Sequence, residues 1–257
     1  MYERDKKLFV PNDYEKAVFE IYKNLGIGIS IENGRLICKR EKCNECRCEN
    51  ADLSIPSSLW QVGDNYFKSK YKLLLVGKVA RGEPGSRFSL SDGSSIIDTT
   101  GKFNTEDDYH GFEGLKNWGK AYWRYSRDLV QRIYGENGWE YVAFTNMVKC
   151  NSSYGKDTTT ILRKNNCVGI IESEIKFLKP KNVVFYTRYS YDQQIKTLFD
   201  NIVDLELDKD NIAKYNMPLW HFTAELCGQK INGIRVSHPQ GKNKEIFLKA
   251  ITDRLVT

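Results

Sequence analysis

Tyr71–Gly77, YKLLLVG, is the stretch that most limits what this chain can become. Its apolar residues follow one another without alternation, so a strand made from them must be covered on both faces. Strands of that kind sit at the centre of parallel sheets, with crossover helices shielding each side. Two more runs share the pattern, Tyr141–Thr145 (YVAFT) and Asn182–Thr187 (NVVFYT), and Ile234–Ser237 is a shorter fourth. Helical spacing fills the intervals. Leu115–Tyr134 carries Trp118, Tyr122, Tyr125, Leu129 and Ile133 near one face, and Ile161–Leu178 carries Val168, Ile171, Ile175 and Leu178 before Lys179-Pro180 closes it. Tyr191–Phe199 and Lys244–Leu255 are also expected to be helical, whereas Asp200–Lys230 reads as irregular. Strands alternating with helices predict an α/β fold: three layers, with a four-stranded parallel sheet flanked by helices.

The 257 residues suffice for one such domain, 1–257, with residues 1–70 as a cysteine-bearing extension packed on it. Within the extension, Asn12 or Asp13 can cap a helix over Tyr14–Leu25, and Asn33-Gly34 can turn a hairpin within Gly28–Cys38. No apolar run approaches the roughly 20 residues of a membrane span. MYERDKKLFV lacks the apolar core of an export signal, so a cytoplasmic location is expected. A net charge of +6 permits a polyanionic partner without demanding one.

The seven cysteines are odd in number and lack an export context, which favours reduced thiols or metal ligands over disulfides. Four of them form Cys38-x4-Cys43-x2-Cys46-x-Cys48 in a polar, charged stretch, where cysteine is rarely chosen for packing. Cys150 and Cys167 bracket a Ser/Gly/Thr-rich segment, and Cys227 reads as a packing thiol. Three of the expected strands end in polar groups, Gly77-Lys78, Asn146 and His238-Pro239. Open α/β sheets bind ligands at the carboxyl ends of their strands.

In this order the strand ends resemble the uracil-DNA glycosylase superfamily, most closely its iron–sulfur (family-four) branch. Leu73–Gly77 resembles the first strand, Thr145–Cys150 (TNMVKC) the N-V-V-K-C segment, Lys179-Pro180 with Val183-Val-Phe the entry to the third strand, and Val236–Pro239 (VSHP) the closing HP motif. The resemblance implies a DNA glycosylase that hydrolyses the N-glycosidic bond of a flipped-out uracil-like or modified base. Asn146 would hydrogen-bond the edge of that base, since an amide offers a donor and an acceptor side by side. His238 would stabilise charge gathering on the base as the bond breaks, and Phe88 would stack on it. Lys242 and Lys244 would meet DNA phosphates. Cys43, Cys46, Cys150 and Cys167 would hold a [4Fe–4S] cluster, with Cys38 or Cys48 as substitutes. Thiolate number alone is equally compatible with zinc. The partner would be DNA and the protein a monomer.

One position departs from the family. An acid or amide usually follows the first-strand glycine and positions the attacking water, but here that residue is Lys78. A protonated ammonium cannot act as a base. Another acid, Glu83, Asp92 or Asp98, would then do the work. Alternatively, Lys78 would form a Schiff base with the sugar, or the protein would bind nucleic acid without cutting it.

Overall fold

The computed structural model describes residues 12–26, 30–32, 35–37, 40–49, 61–79, 121–150, 159–207 and 217–257. Nine strands form among these residues: β1 (Ser30–Glu32), β2 (Arg35–Ile37), β3 (Gln61–Val62), β4 (Leu73–Val79), β5 (Val142–Val148), β6 (Asn182–Phe185), β7 (Asp200–Glu206), β8 (Leu219–Leu226) and β9 (Gln229–Val236). Six α-helices join them, α1 (Asp13–Asn24), α2 (Glu41–Glu49), α3 (Ala121–Tyr134), α4 (Ile161–Leu178), α5 (Asp192–Leu198) and α6 (Lys244–Thr252).

The main sheet runs β3-β5-β4-β6-β9-β8-β7, and β1 and β2 make a separate hairpin. β5, β4, β6 and β9 are successive parallel neighbours, while β3, β8 and β7 add to the edges in antiparallel fashion. The sheet is therefore mixed and seven-stranded, larger than the four-stranded parallel sheet expected, although the α/β class holds. β4 explains its own central place. Leu74 and Val76 join one apolar layer with Val18 and Tyr22 of α1 and Ile171 and Ile175 of α4. Leu73 and Leu75 join the opposite layer with Leu129 of α3 and Phe247 of α6. A strand clothed on both faces needs the uninterrupted apolar run that the sequence provides.

Of the added strands, β7 and β8 lie in the stretch expected to be irregular, and β3 lies ahead of β4. β7 has no fully buried residue, so no apolar alternation marks it. β8 and β9 are joined by Cys227-Gly228, with φ of +51° and +77°, and two positive φ angles in a two-residue loop are what a twisted hairpin requires. Cys227 is thus an exposed turn residue, not a packing thiol. β4 and β5 also run further than expected, so Lys78 and Asn146 lie within strands. The cysteine-rich stretch is helical, α2, where a polar loop was expected.

At the start of α1, Asn12 is the cap. Its Oδ1 accepts the Glu15 N–H at 2.9 Å, and Glu15 Oε2 accepts the Asn12 N–H at 3.0 Å, which is a capping box. The other carboxylate oxygen, Oε1, accepts the Val62 N–H at 3.2 Å and so ties α1 to β3. Burial pushes the Glu15 pKa up from 4.5 to about 7; the two backbone N–H groups oppose this and Asp64 adds to it. The folded chain therefore holds this proton more tightly than the unfolded chain. The resulting stability is complete below 4.5 and declines as the pH rises to about 7. Glu15→Gln should flatten that decline, which amounts to about 3 kcal/mol at most. Urea-unfolding midpoints at about pH 5 and about pH 8 will read the difference.

Candidate functional site

The β4–β5 register sets Gly77 opposite Asn146. A Cβ on Gly77 would fall 2.3 Å from Asn146 Oδ1 and 3.3 Å from the Tyr122 hydroxyl. Glycine thus leaves the space into which the amide leans across β4, and the tyrosine hydroxyl reaches the same point. Tyr122 stands at the start of α3. Its ring meets Tyr186 edge-on at 5.2 Å and lies nearly parallel to His238 at 6.3 Å. Burial, with Tyr186 adding to it, pushes the Tyr122 pKa well above the ordinary tyrosine value, so the hydroxyl stays neutral and able to donate.

His238 follows β9 by two residues, and its Nδ1 accepts the Gln240 N–H at 3.3 Å. In the neutral ring the proton then sits on Nε2, which becomes a donor. Asn146, Tyr122 and His238 consequently share one corner at the carboxyl ends of β5, β4 and β9. The crossovers leaving β4 and β6 depart in opposite directions, toward β5 and β9, and a sheet of this type opens a crevice at such a point. Lys78 is half-buried on β4 beside this corner.

Of the other expected site residues, Lys242 gives its backbone carbonyl to the Tyr125 hydroxyl at 2.6 Å. Lys244 is ion-paired with Asp128 at 2.9 Å, so a phosphate there would compete with a carboxylate. Glu83, Asp92, Asp98, Phe88 and Cys38 lie outside the described residues. Sequence reading placed Tyr122 only on an apolar helical face. Its polar tip at the first turn of a helix leading into β5 was the available signal.

Behind Asn146 lies a fully buried polar cluster. Lys149 Nζ is 2.8 Å from the Glu174 carboxylate, Thr145 Oγ1 donates to Glu174 Oε2 at 2.8 Å, and the Tyr22 hydroxyl donates to Glu174 Oε1. Lys149 Nζ also donates to Thr145 Oγ1. Burial lowers the Lys149 pKa while Glu174 holds it up, and burial with Glu174 alongside raises that of Tyr22. Thr145, next to Asn146 on β5, and Lys149, just past the strand's end, are both tied to Glu174 and so hold the backbone that carries Asn146.

The thiols gather next to this cluster. Cys43 and Cys46, three residues apart on α2, are both buried, whereas Cys48 is exposed. α2 docks on α4 through Asn166, whose Nδ2 donates to the Lys42 carbonyl at 2.6 Å and reaches Cys46 Sγ at 3.4 Å. The Cys150 thiol donates to Cys167, which raises the pKa of Cys150 and lowers that of Cys167; the Lys149 N–H and ammonium add to the lowering. Cys46 is raised by burial and by its proximity to Cys167. Cys43, Cys150 and Cys167 also share one apolar layer. Four soft thiols, two on α2, one just after β5 and one on α4, are of the donor type that a four-thiolate metal or cluster takes. Among the described residues, no group of three His, Cys, Asp or Glu side chains stands at metal-binding spacing.

No protein-family model matches the chain, and no curated protein matches it. Among the described residues, no helix is long and apolar enough to cross a membrane.

Lys149→Met should leave the Glu174 carboxylate buried without its cation, at a loss of about 3–5 kcal/mol. Adding Glu174→Gln to that variant removes the stranded charge and should recover part of the loss. Equilibrium urea unfolding of the two variants checks both.

Proposed function

We propose that this protein is a DNA glycosylase of the uracil-DNA glycosylase type, acting in the cytoplasm as a monomer on a flipped-out uracil-like or modified base. The observation that carries the reading is the corner made by Asn146, Tyr122 and His238, in which an amide, a neutral hydroxyl and an imidazole Nε2 donor meet where strand carboxyl ends open a crevice. The parallel run β5-β4-β6-β9 at the heart of the mixed sheet supports it as well.

In this mechanism the Asn146 amide pairs with the donor and acceptor edge of the base and fixes its plane. The C1′–N bond breaks and its electron pair leaves with the base. His238 Nε2–H then donates to the carbonyl oxygen on which the charge accumulates, a task for a preorganised neutral donor. Water adds its oxygen to C1′ and gives up a proton to a base. Lys78 stands where the family has an acid or amide, so Glu83 takes that role, or Lys78 itself when deprotonated. Cys43, Cys46, Cys150 and Cys167 would hold a [4Fe–4S] cluster, or zinc, that fastens the N-terminal segment to the segment following β5. A second reading, a nucleic-acid-binding protein without hydrolytic activity, is favoured by Lys78 alone.

Oligonucleotides carrying uracil, hypoxanthine or a modified cytosine should yield abasic product with at least one base. His238→Ala should lower the rate by about a hundredfold or more, and Asn146→Ala should do likewise, with DNA binding kept in both. Binding without abasic product from any base would overturn the glycosylase reading in favour of the second. For the cofactor, the purified protein should show iron, acid-labile sulfide and a visible absorption band. A colourless protein holding zinc would sink the cluster.

A further inference from the structure

The ladder of β6 continues one residue beyond Phe185, since the Tyr186 N–H donates to the Val76 carbonyl at 2.9 Å. The chain then makes a 3-10 turn, Arg188–Tyr191, ahead of α5. Because β6 runs parallel to β4 and β9, this turn occupies the same sheet edge as Gly77, Asn146 and His238. None of its residues belongs to the corner described above.

Tyr189 is 43% exposed, yet its ring is held firmly. The guanidinium of Arg235 lies 4.9 Å from the ring centroid. Arg235 is itself 1% exposed and is fixed by Nε and Nη2 to the two carboxylate oxygens of Asp192, each at 2.9 Å. That fork is the rigid, bidentate arrangement that makes arginine a good backing for an aromatic face. Asp192 also cancels the charge of Arg235, so the ring is braced by an ion pair that is nearly neutral overall.

The turn itself is pinned. Ser190 Oγ donates to the Thr187 carbonyl at 3.1 Å, and the Ser190 carbonyl accepts from Lys164 Nζ at 2.7 Å. Lys164 Nζ also lies 4.4 Å over the Tyr191 ring. Arg188, just before Tyr189, is exposed and has a φ of +56°, a left-handed conformation that side chains other than glycine seldom adopt. Its guanidinium carbon lies 5.8 Å from the Tyr189 centroid. With Asp192 neutralised by Arg235, the charge this turn shows to solvent is positive.

We propose that Tyr189 is a stacking platform for an unpaired nucleobase, with Arg188 meeting the adjoining phosphate. The site takes a base neighbouring the one in the crevice and holds the strand at the sheet edge. This inference rests on the nucleic-acid reading above but not on hydrolysis. An aromatic face accepts any base, and the cation beside it favours a polyanion over a neutral sugar or peptide. A ring already immobilised by an ion pair loses little freedom when a base settles on it.

The test uses single-stranded oligothymidine carrying one 2-aminopurine, with binding followed by anisotropy and stacking by fluorescence quenching. Tyr189→Ala should weaken binding about tenfold or more and abolish the quenching. Tyr189→Phe, which keeps the ring, should behave as the unaltered protein. Arg188→Ala should weaken binding and lower the slope of log affinity against log salt by about 0.7. Binding and quenching unchanged in Tyr189→Ala would overturn the platform alone and leave the glycosylase reading standing. A parent protein that binds no oligonucleotide at low salt would overturn both. Should Tyr189→Ala unfold, loss of quenching in the folded Tyr189→Phe protein, or an unchanged salt slope in Arg188→Ala, would still decide against the platform.

Discussion

The Glu174 carboxylate is the group on which most of this structure converges. It sits on α4 with no access to solvent and receives hydrogen bonds from Thr145 of β5, from Lys149 just after that strand, and from α1 through Tyr22. Burying an ion pair gains little over a well-packed apolar pair, because desolvation offsets the Coulombic attraction. Its value lies in direction. Hydrogen bonds of fixed geometry leave β5 one position relative to α4, and Asn146 stands between Thr145 on β5 and Lys149 just after it. The same cluster borders Cys150 and Cys167, so the amide corner and the thiols share a foundation.

The opposite end of the sheet is closed by amides. Asn232 Nδ2 donates to Asn182 Oδ1 at 2.8 Å, and Asn182 Nδ2 donates to the carbonyls of Tyr71 and Val256 at 2.7 and 2.8 Å. Asn232 also bonds the Arg254 carbonyl and faces the His221 ring. Polar residues at the amino ends of β6 and β9 thus use up their hydrogen bonds in joining the chain's last residues to the sheet. The carboxyl ends contrast with this, since half-buried Asn146 and His238 and exposed Arg188 and Tyr189 face outward there. One end of the parallel strands is spent on cohesion, and the other is left for chemistry.

Much of this layout could be read from the residues themselves. β4, β5 and β6 announce themselves because burial on both faces demands unbroken apolar runs, and α4 is bounded by Thr160 as its cap and by Lys179, with φ of +46°, before Pro180. β7 and β8 escaped notice for a physical reason. β7, at the sheet's edge, needs few apolar residues, and β8 is largely buried but leads into a Cys227-Gly228 turn that lacks the Asn-Gly or Asp-Gly signature. The helical setting of Cys43 and Cys46 was also hidden, because that short stretch has no apolar stripe. Its helix is recognisable only from what it docks against. At the site, Asn146 and His238 could be singled out by their places after apolar runs. Tyr122 offered only its polar tip at the first turn of a helix, because its meeting with them depends on how α3 crosses the sheet. The Tyr189–Arg235–Asp192 stack joins the turn after β6 and the first residue of α5 to β9, and leaves no local pattern at all.

The Tyr22–Glu174 hydrogen bond spans 152 positions of the chain. During synthesis, α1 therefore leaves the ribosome long before its acceptor has been made. By contrast, Lys149 and Glu174 are 25 positions apart and can find one another as soon as β5 and α4 are both present. Loop closure favours the shorter link. The central crossover thus closes its ion pair over the shorter loop, and the tie from α1 across to α4 is the longer one to close.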